Sequence, residues 1–394
     1  MAGPGDVVIA VCGKYHVLNY APQLIAAGRL GRLHYSHKTG TGAAYGLDPD
    51  ICINHRLKEY LTQGHGRLLG ERFYEAALPV YHGLWRRSVA ARWRPASVFH
   101  IISHGAGVCL VERARRDGAR VVVECVNTHP AHRLAVLRRE AEHWGVAFPK
   151  TDLYDRERLH LEEVAAADRL LVPSDIVARS YRAAGVATRV SKIPYAANLI
   201  QFFPQGAAKS SSQNGPLRVI CVGEVGLRKG QLYLLEAARR LGPGALDITL
   251  VGVMSRTAAP AFARYAGVFR HIPRAPHSDI PRLLAAHDVF VLPSLEEGLS
   301  VSICEAMAAG RAVVATPASG AGEIIDDSVD GLIVPERDVD ALAEALARLR
   351  DNKDAAAQMG HTASEAARRR VNWDAYAEAL IAAYDMSRTE KAAA

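Results

Sequence analysis

DVFVLPSLEEGLSVSICEAMAAGRAVVAT, residues 288–316, reads as a strand, a loop, a helix and a second strand. Both apolar runs, DVFVL and AVVAT, are continuous, not alternating, which marks strands buried on both faces of a sheet. The intervening helix brings the chain back to start the second strand in the same direction, the βαβ unit of a parallel sheet. The same rhythm extends outward. Upstream lie LRVICVG (217–223), the helix GQLYLLEAARRL, DITLVG and the helix DIPRLLAAH. Downstream come GLIVP and the helix DVDALAEALARLRDN. An earlier set, VVIAVCG (7–13), SVFHIIS (97–103), RVVVECV (120–126) and RLLVPS (169–174), alternates with amphipathic helices in the same way. The polar stretch SSSQNGP (210–216) separates the two sets.

The expected fold is therefore α/β, with two Rossmann-like doubly wound domains facing an interdomain cleft. The boundaries fall at 1–190 and 191–372, and a last helix over about 373–390 packs back on the first domain. Only the extreme C-terminal EKAAA reads as disordered. At 394 residues the chain has room for this. No apolar run reaches the roughly 18 residues that span a bilayer. The N-terminus lacks the basic region of a signal peptide. Six dispersed cysteines without a C-x-x-C pair fit a reducing, cytoplasmic setting. Cys12, Cys125 and Cys221 fall in strand-like runs as small core residues. The net charge of +7 is concentrated in the first half, where residues 1–190 carry +8. No nucleic-acid motif accompanies this excess. A basic face resting on a membrane suits it, as does a plain arginine-rich surface.

Sheets of this kind bind ligands beyond the carboxyl ends of their strands. In the opening stretch, Gly298 offers a turn that a side chain would block, and the helix begins near Ser300 to Ser302. Its first amides and its dipole form an anion site. Glu305 lies about 7.5 Å further along at ~1.5 Å per residue. That reach suits a nucleoside diphosphate sugar, with Glu305 on the ribose hydroxyls and Glu297 on the sugar. Ser302-x-x-Glu305 is equally a capping box that needs no ligand. In VGEVGLRKGQLYLLEAARRL (222–241), Arg228 and Lys229 precede a helix, where cations oppose the dipole. Such misplacement is expected at functional sites. The pair suits a diphosphate clamp in place of a magnesium ion.

The motif set resembles the GT-B glycosyltransferases of family 4, the glycosyl transferases group 1. The likeness rests on VG…RKG…LLEA, on PSLEEGLSVSICEAMAAGRAVVAT with seven residues between Glu297 and Glu305, on GLIVP…DVDALAEAL, and on AADRLLVPS…KIPYAANLIQFFP. It covers about residues 165–350 closely. The resemblance implies a retaining hexosyltransferase, with a UDP-sugar the commonest donor, no metal and no cofactor. It implies that Glu297 holds the sugar hydroxyls and Glu305 the ribose. Backbone amides of Gly298, Leu299, Ser300, Val301 and Ser302 meet the sugar and phosphates, and Arg228 and Lys229 bind the diphosphate. Gly13 lets the first loop approach the donor, and His129 stands near the reacting sugar. The acceptor is a glycan, a lipid-linked saccharide or a small molecule. Two positions depart from the pattern: Glu224 stands where relatives are often basic or small, and Ser300 where many have Gly. Alternatives are a sugar-nucleotide epimerase, a glycan phosphorylase and a non-catalytic nucleotide-sugar-binding protein. The pairs His34/His37, His100/His104 and His129/His132 have metal-compatible spacings without a supporting motif, and Glu140 and Glu142 read as solvated helix charges.

Overall fold

A computed structural model describes residues 5–69, 73–148, 153–203 and 215–392. Most of the polar stretch 210–216 and the last two residues of EKAAA lie outside them; residues 390–392 close the final helix. Among the described residues there are two sheets, all of whose pairings are parallel. The first contains β1 (Val7–Ala10), β2 (Leu30–Tyr35), β3 (Cys52–Asn54), β4 (Val98–Ile102), β5 (Arg120–Glu124), β6 (Arg169–Val172) and β7 (Arg189–Lys192), in the order β3-β2-β1-β4-β5-β6-β7. The second contains β8 (Leu217–Val222), β9 (Leu246–Val251), β10 (Phe269–Ile272), β11 (Val289–Leu292), β12 (Ala312–Ala315) and β13 (Leu332–Ile333), in the order β10-β9-β8-β11-β12-β13.

Both sheets are doubly wound. Central strands such as β1, β4, β6, β11 and β12 are buried along their whole length, which is why their sequences are unbroken apolar runs. In each sheet the strand order reverses once, between β1 and β4 and between β8 and β11. That reversal opens a crevice at the carboxyl ends, the place where such sheets bind ligands. The loops flanking the first crevice begin at residues 11 and 103. Those flanking the second are 223–230 and 293–300.

The helix Trp373–Ala392 follows the second sheet in sequence but packs against the first domain's helix Val17–Ala26. The Tyr384 hydroxyl lies 2.7 Å from His100 Nδ1 on β4, and Arg29 pairs with Asp385 at 2.9 Å. Beside them Glu124 is buried at the end of β5, 2.7 Å from His16 and 3.2 Å from His100. Burial alone would raise its pKa, but the charge of His16 and the hydrogen bond of His100 hold it below the usual carboxylate range.

Glu140 departs from the expected solvated charge. It is fully buried, and its carboxylate accepts hydrogen bonds from the Tyr233 hydroxyl (2.8 Å) and Arg337 Nε (2.7 Å), both in the second domain. Glu142 on the same helix is exposed. Cys125 and Cys221 are core residues, whereas Cys12 lies just past β1 in the wall of the first-domain cavity.

Candidate active site

The second-domain half of the site is built from two loops stitched together. After β8 the chain passes Gly223 and forms a 3-10 turn, Leu227–Lys229, which closes on Gly230 in the left-handed region (φ +67°). A Cβ on Gly230 would sit 1.9 Å from the Pro293 carbonyl oxygen, so only glycine allows the loops to meet. The Leu295 N–H then donates to the Arg228 carbonyl at 2.9 Å. This contact brings the cations onto the carboxylates. Lys229 Nζ lies 2.6 Å and Arg228 Nη1 2.8 Å from Glu297 Oε1. Lys229 and Glu297 are nearly buried, at 7% and 8% exposure. Burial disfavours the Arg228 charge, but Glu297, Glu296 and Glu224 together raise its pKa. Glu224, the departure from the usual pattern, thus adds to the acidic surroundings of the clamp.

Gly298 does not use a glycine-only backbone conformation; it is absent from the positive-φ glycines. Its role is close approach. A Cβ there would sit 1.8 Å from the carbonyl oxygen of Val126 in the other domain, and the Ser174 hydroxyl donates to the Gly298 carbonyl at 2.5 Å. The motif loop is therefore docked on the first domain at 126–128 and 173–174.

The helix runs Val301–Ala308, with Ser300 at its N-cap position. The Ser300 N–H donates to the Ser319 carbonyl at 3.1 Å, so this one of the expected amides is engaged within the protein. Ser300 Oγ sits 3.0 Å from Ser302 Oγ, and Leu299 is buried while Val301 is 41% exposed. The capping box does not form, because Ser300 and not Ser302 is at the cap. Glu305 instead reaches His277, whose Nε2 lies 2.7 Å from Oε1. Together they border a cavity of about 310 Å3 with Gly223, Gly252 and Pro273, at the carboxyl ends of β8, β9 and β10. Burial pushes the Glu305 pKa up, and His277 opposes the shift.

Across the cleft, a polar cavity of about 450 Å3 opens at the first-domain switch point. Its wall includes Cys12, Tyr15, Lys58, His104, Asn127 and Arg133. Gly13 precedes Tyr15, whose ring stacks on His104 at 4.3 Å. His129 is absent from this wall. It caps the helix Pro130–Trp144, with Nδ1 accepting the Ala131 N–H at 3.2 Å, and it borders a separate apolar pocket. Its pKa is lowered by burial and then by His132. The cavity's own histidines are His82, His104 and His160, with His160 pushed down to about 4 by burial and by neighbouring His129 and Arg133.

The sequence reading missed two residues. Glu296 carries no signal in sequence beyond adjoining Glu297, yet it is fully buried and accepts from the Thr128 hydroxyl at 2.6 Å. Asn127 carries no signal of its own in sequence, but follows the Val126 carbonyl that touches Gly298, which places it in the cavity wall next to the glutamate loop.

The two doubly wound domains, with their crevices at the carboxyl ends of the strands, have the GT-B architecture. Residues 216–352 match the family model described as glycosyl transferases group 1. The chain is 28% identical over 362 residues to the GDP-mannose-dependent alpha-(1-6)-phosphatidylinositol monomannoside mannosyltransferase of Mycobacterium tuberculosis, covering 82% of this chain and 93% of that protein. It is 29% identical to the D-inositol 3-phosphate glycosyltransferase of Saccharomonospora viridis, over 65% of this chain and 63% of the other. Among solved structures, sucrose-phosphate synthase from Thermosynechococcus elongatus superposes with a TM-score of 0.67 at 21% identity, covering 99% and 100% of the two chains. Anabaena Alr3699/HepE in complex with UDP gives 0.65 at 15% identity, covering 97% and 100%. This chain is accordingly a glycosyltransferase of the GT-B class, related to the group 1 family.

Proposed function

We propose that the protein is a retaining hexosyltransferase that takes a sugar from a nucleoside diphosphate donor and places it on an acceptor hydroxyl in glycoconjugate synthesis. The observation that carries this reading is the Arg228–Lys229–Glu297 cluster at the second domain's switch point, next to Glu296, whose partner Thr128 lies in the wall of the first domain's cavity. The two cations are held by the carboxylate that would bind the sugar. A diphosphate offers them a stronger, doubly charged partner and releases Glu297 to the sugar hydroxyls. Glu305 takes the ribose in the smaller cavity. The anomeric carbon–oxygen bond to phosphate breaks, and the cations stabilise the leaving diphosphate electrostatically. The acceptor hydroxyl bonds to the anomeric carbon from the face the diphosphate leaves and gives its proton to the departing phosphate. No metal or cofactor is required in this scheme, since Arg228 and Lys229 supply the positive charge.

On the acceptor side, the loop 126–128, and not His129, lines the first-domain cavity. Asn127 is the polar side chain that the docked loop brings towards the sugar, and His129 holds the start of the following helix. The acceptor proposed is carried at a membrane surface. Seven of the thirteen exposed large apolar side chains among the described residues fall between Leu57 and Val80, on the helices Arg56–Leu68 and Tyr74–Ala90 and the residues that flank them. Clustered exposed apolar residues mark an interaction surface. The same helices carry Arg67, Arg86 and Arg87, and contribute Lys58, Thr62 and His82 to the cavity wall. Among the described residues no helix is long and apolar enough to cross a membrane.

The test is a turnover screen of UDP- and GDP-hexoses, following release of the nucleoside diphosphate and of sugar. The UDP-hexose expectation and the GDP-mannose use of the long-matching relative are its two arms. Transfer with retained anomeric configuration supports the proposal. An epimerised nucleotide sugar as product, or sugar 1-phosphate formed from phosphate and a glycan, supports the rival epimerase or phosphorylase. Binding without any turnover supports a non-catalytic protein.

A further inference from the structure

We infer that Glu296 is a positioning residue that couples the diphosphate-binding cation Arg228 to the first-domain loop around Thr128. This rests on the donor-site reading above and adds a residue that no motif assigns.

The geometry is specific. Glu296 is fully buried. One carboxylate oxygen, Oε1, accepts from the Thr128 hydroxyl at 2.6 Å and faces the Thr128 N–H at 3.3 Å, both across the domain boundary. The other, Oε2, lies 3.3 Å from Arg228 Nη1. The same nitrogen lies 2.8 Å from Glu297 Oε1 and 3.4 Å from the Glu296 carbonyl oxygen. One buried charge therefore has two partners: a cation in its own domain and a neutral hydroxyl and amide in the other.

A buried carboxylate is tolerated only while its partners compensate it. When a donor diphosphate draws Arg228 towards itself, Glu296 loses part of its cationic partner. The compensation left to it is the Thr128 N–H and O–H, and hydrogen bonds to an ionised acceptor are the strong ones. The Thr128 loop is thereby held more tightly when the donor is present. That loop contains Asn127, and its Val126 carbonyl rests on Gly298. The next residue, His129, caps the helix whose Glu140 clasps Tyr233 and Arg337 in the second domain. Donor arrival at Arg228 is thus transmitted to the acceptor wall and the domain contact. The two end states differ in which partners Glu296 keeps, which is what a coupling requires.

The experiment combines calorimetry and amide hydrogen exchange on the full chain, with UDP and GDP as probes, in the wild type, Glu296→Gln and Thr128→Val. In the wild type, the nucleotide that binds is expected to slow exchange across residues 126–131. Glu296→Gln removes a negative charge from beside the anion site, so it is expected to bind the diphosphate several-fold more tightly while losing the protection at 126–131. Thr128→Val is expected to lose the protection and, because a coupling is reciprocal, to bind the diphosphate more weakly than the wild type. A merely structural Glu296 would weaken affinity on substitution. Weaker binding by Glu296→Gln, or nucleotide-induced protection that persists in either variant, overturns the coupling. Should Glu296→Gln fail to fold, the near-isosteric Thr128→Val decides alone. If neither nucleotide binds the wild type, the donor-site reading fails and the coupling falls with it. If one binds without altering exchange at 126–131, the coupling alone fails.

Discussion

Glu305 sits against His277 in a cavity beside Gly223 and Gly252, not against the helix amides that a capping box would use. A carboxylate in that position is available to a ribose diol. Glu305→Ala is expected to weaken nucleoside diphosphate binding about tenfold or more, the scale of a hydrogen bond to a charged group. Calorimetry checks this, and unchanged affinity removes the ribose role. At the acceptor side, two substitutions separate neighbours. Asn127→Ala is expected to lower turnover by at least about tenfold. His129→Asn keeps a good cap and is expected to leave turnover within about twofold. The reverse pattern in steady-state rates returns the reacting-centre role to His129. Glu297 and Glu305, and Arg228 and Lys229, stand out in sequence because each pair lies within a single strand–loop–helix unit. Glu296 and Asn127 do not, because their significance depends on a contact between residues 168 positions apart.

The elements tell the same story in another form. β1, β4, β5, β6, β8, β11 and β12 are apolar runs buried on both faces, and each is visible as such in sequence. β2 is not, since its LGRLHY carries Arg32 and His34, whose ring is buried against His55 at 2.9 Å. β3 has three residues, too few for any periodicity. The helices Arg56–Leu68 and Tyr74–Ala90 lack a clean apolar stripe because apolar residues lie on their outer face too, with Leu68 and Phe73 at 85% and 75% exposure. That outer face motivates a test. The wild type is expected to sediment with phosphatidylglycerol vesicles and not with phosphatidylcholine vesicles. A Leu61→Ser, Leu68→Ser, Phe73→Ser variant is expected to stay in the supernatant while keeping its nucleotide affinity. Binding unaffected by these changes, or concentration-dependent self-association through the same face, contradicts a membrane role.

For the whole molecule, domain closure depends on buried polar contacts that cross the cleft: Glu296 with Thr128, Glu140 with Arg337, and Ser174 with the Gly298 carbonyl. Buried histidines set its acid sensitivity. Burial lowers the pKa of His34 to about 3 and of His55 and His160 to about 4. The unfolded chain takes up these protons near pH 6.5, before the folded protein does. Their contribution is therefore complete above pH 6.5 and is lost as pH falls towards about 4, by up to about 3 kcal/mol for a group shifted as far as His160. Thermal melts are expected to show the melting temperature falling between pH 6.5 and 5, above the range where most carboxylates titrate. A melting temperature that holds steady across that interval contradicts the burial of these neutral rings.

The proposed function stands on Arg228 and Lys229 binding the donor diphosphate in the interdomain cleft without a metal. Calorimetric titration of UDP and GDP in the presence of EDTA, into the wild type and Lys229→Ala, addresses it directly. One of the two nucleotides is expected to bind the wild type under chelation, and Lys229→Ala is expected to weaken that binding at least about tenfold, since it removes a nearly buried charge-assisted contact. Binding that requires added divalent cation, or that is unchanged in Lys229→Ala, would contradict it.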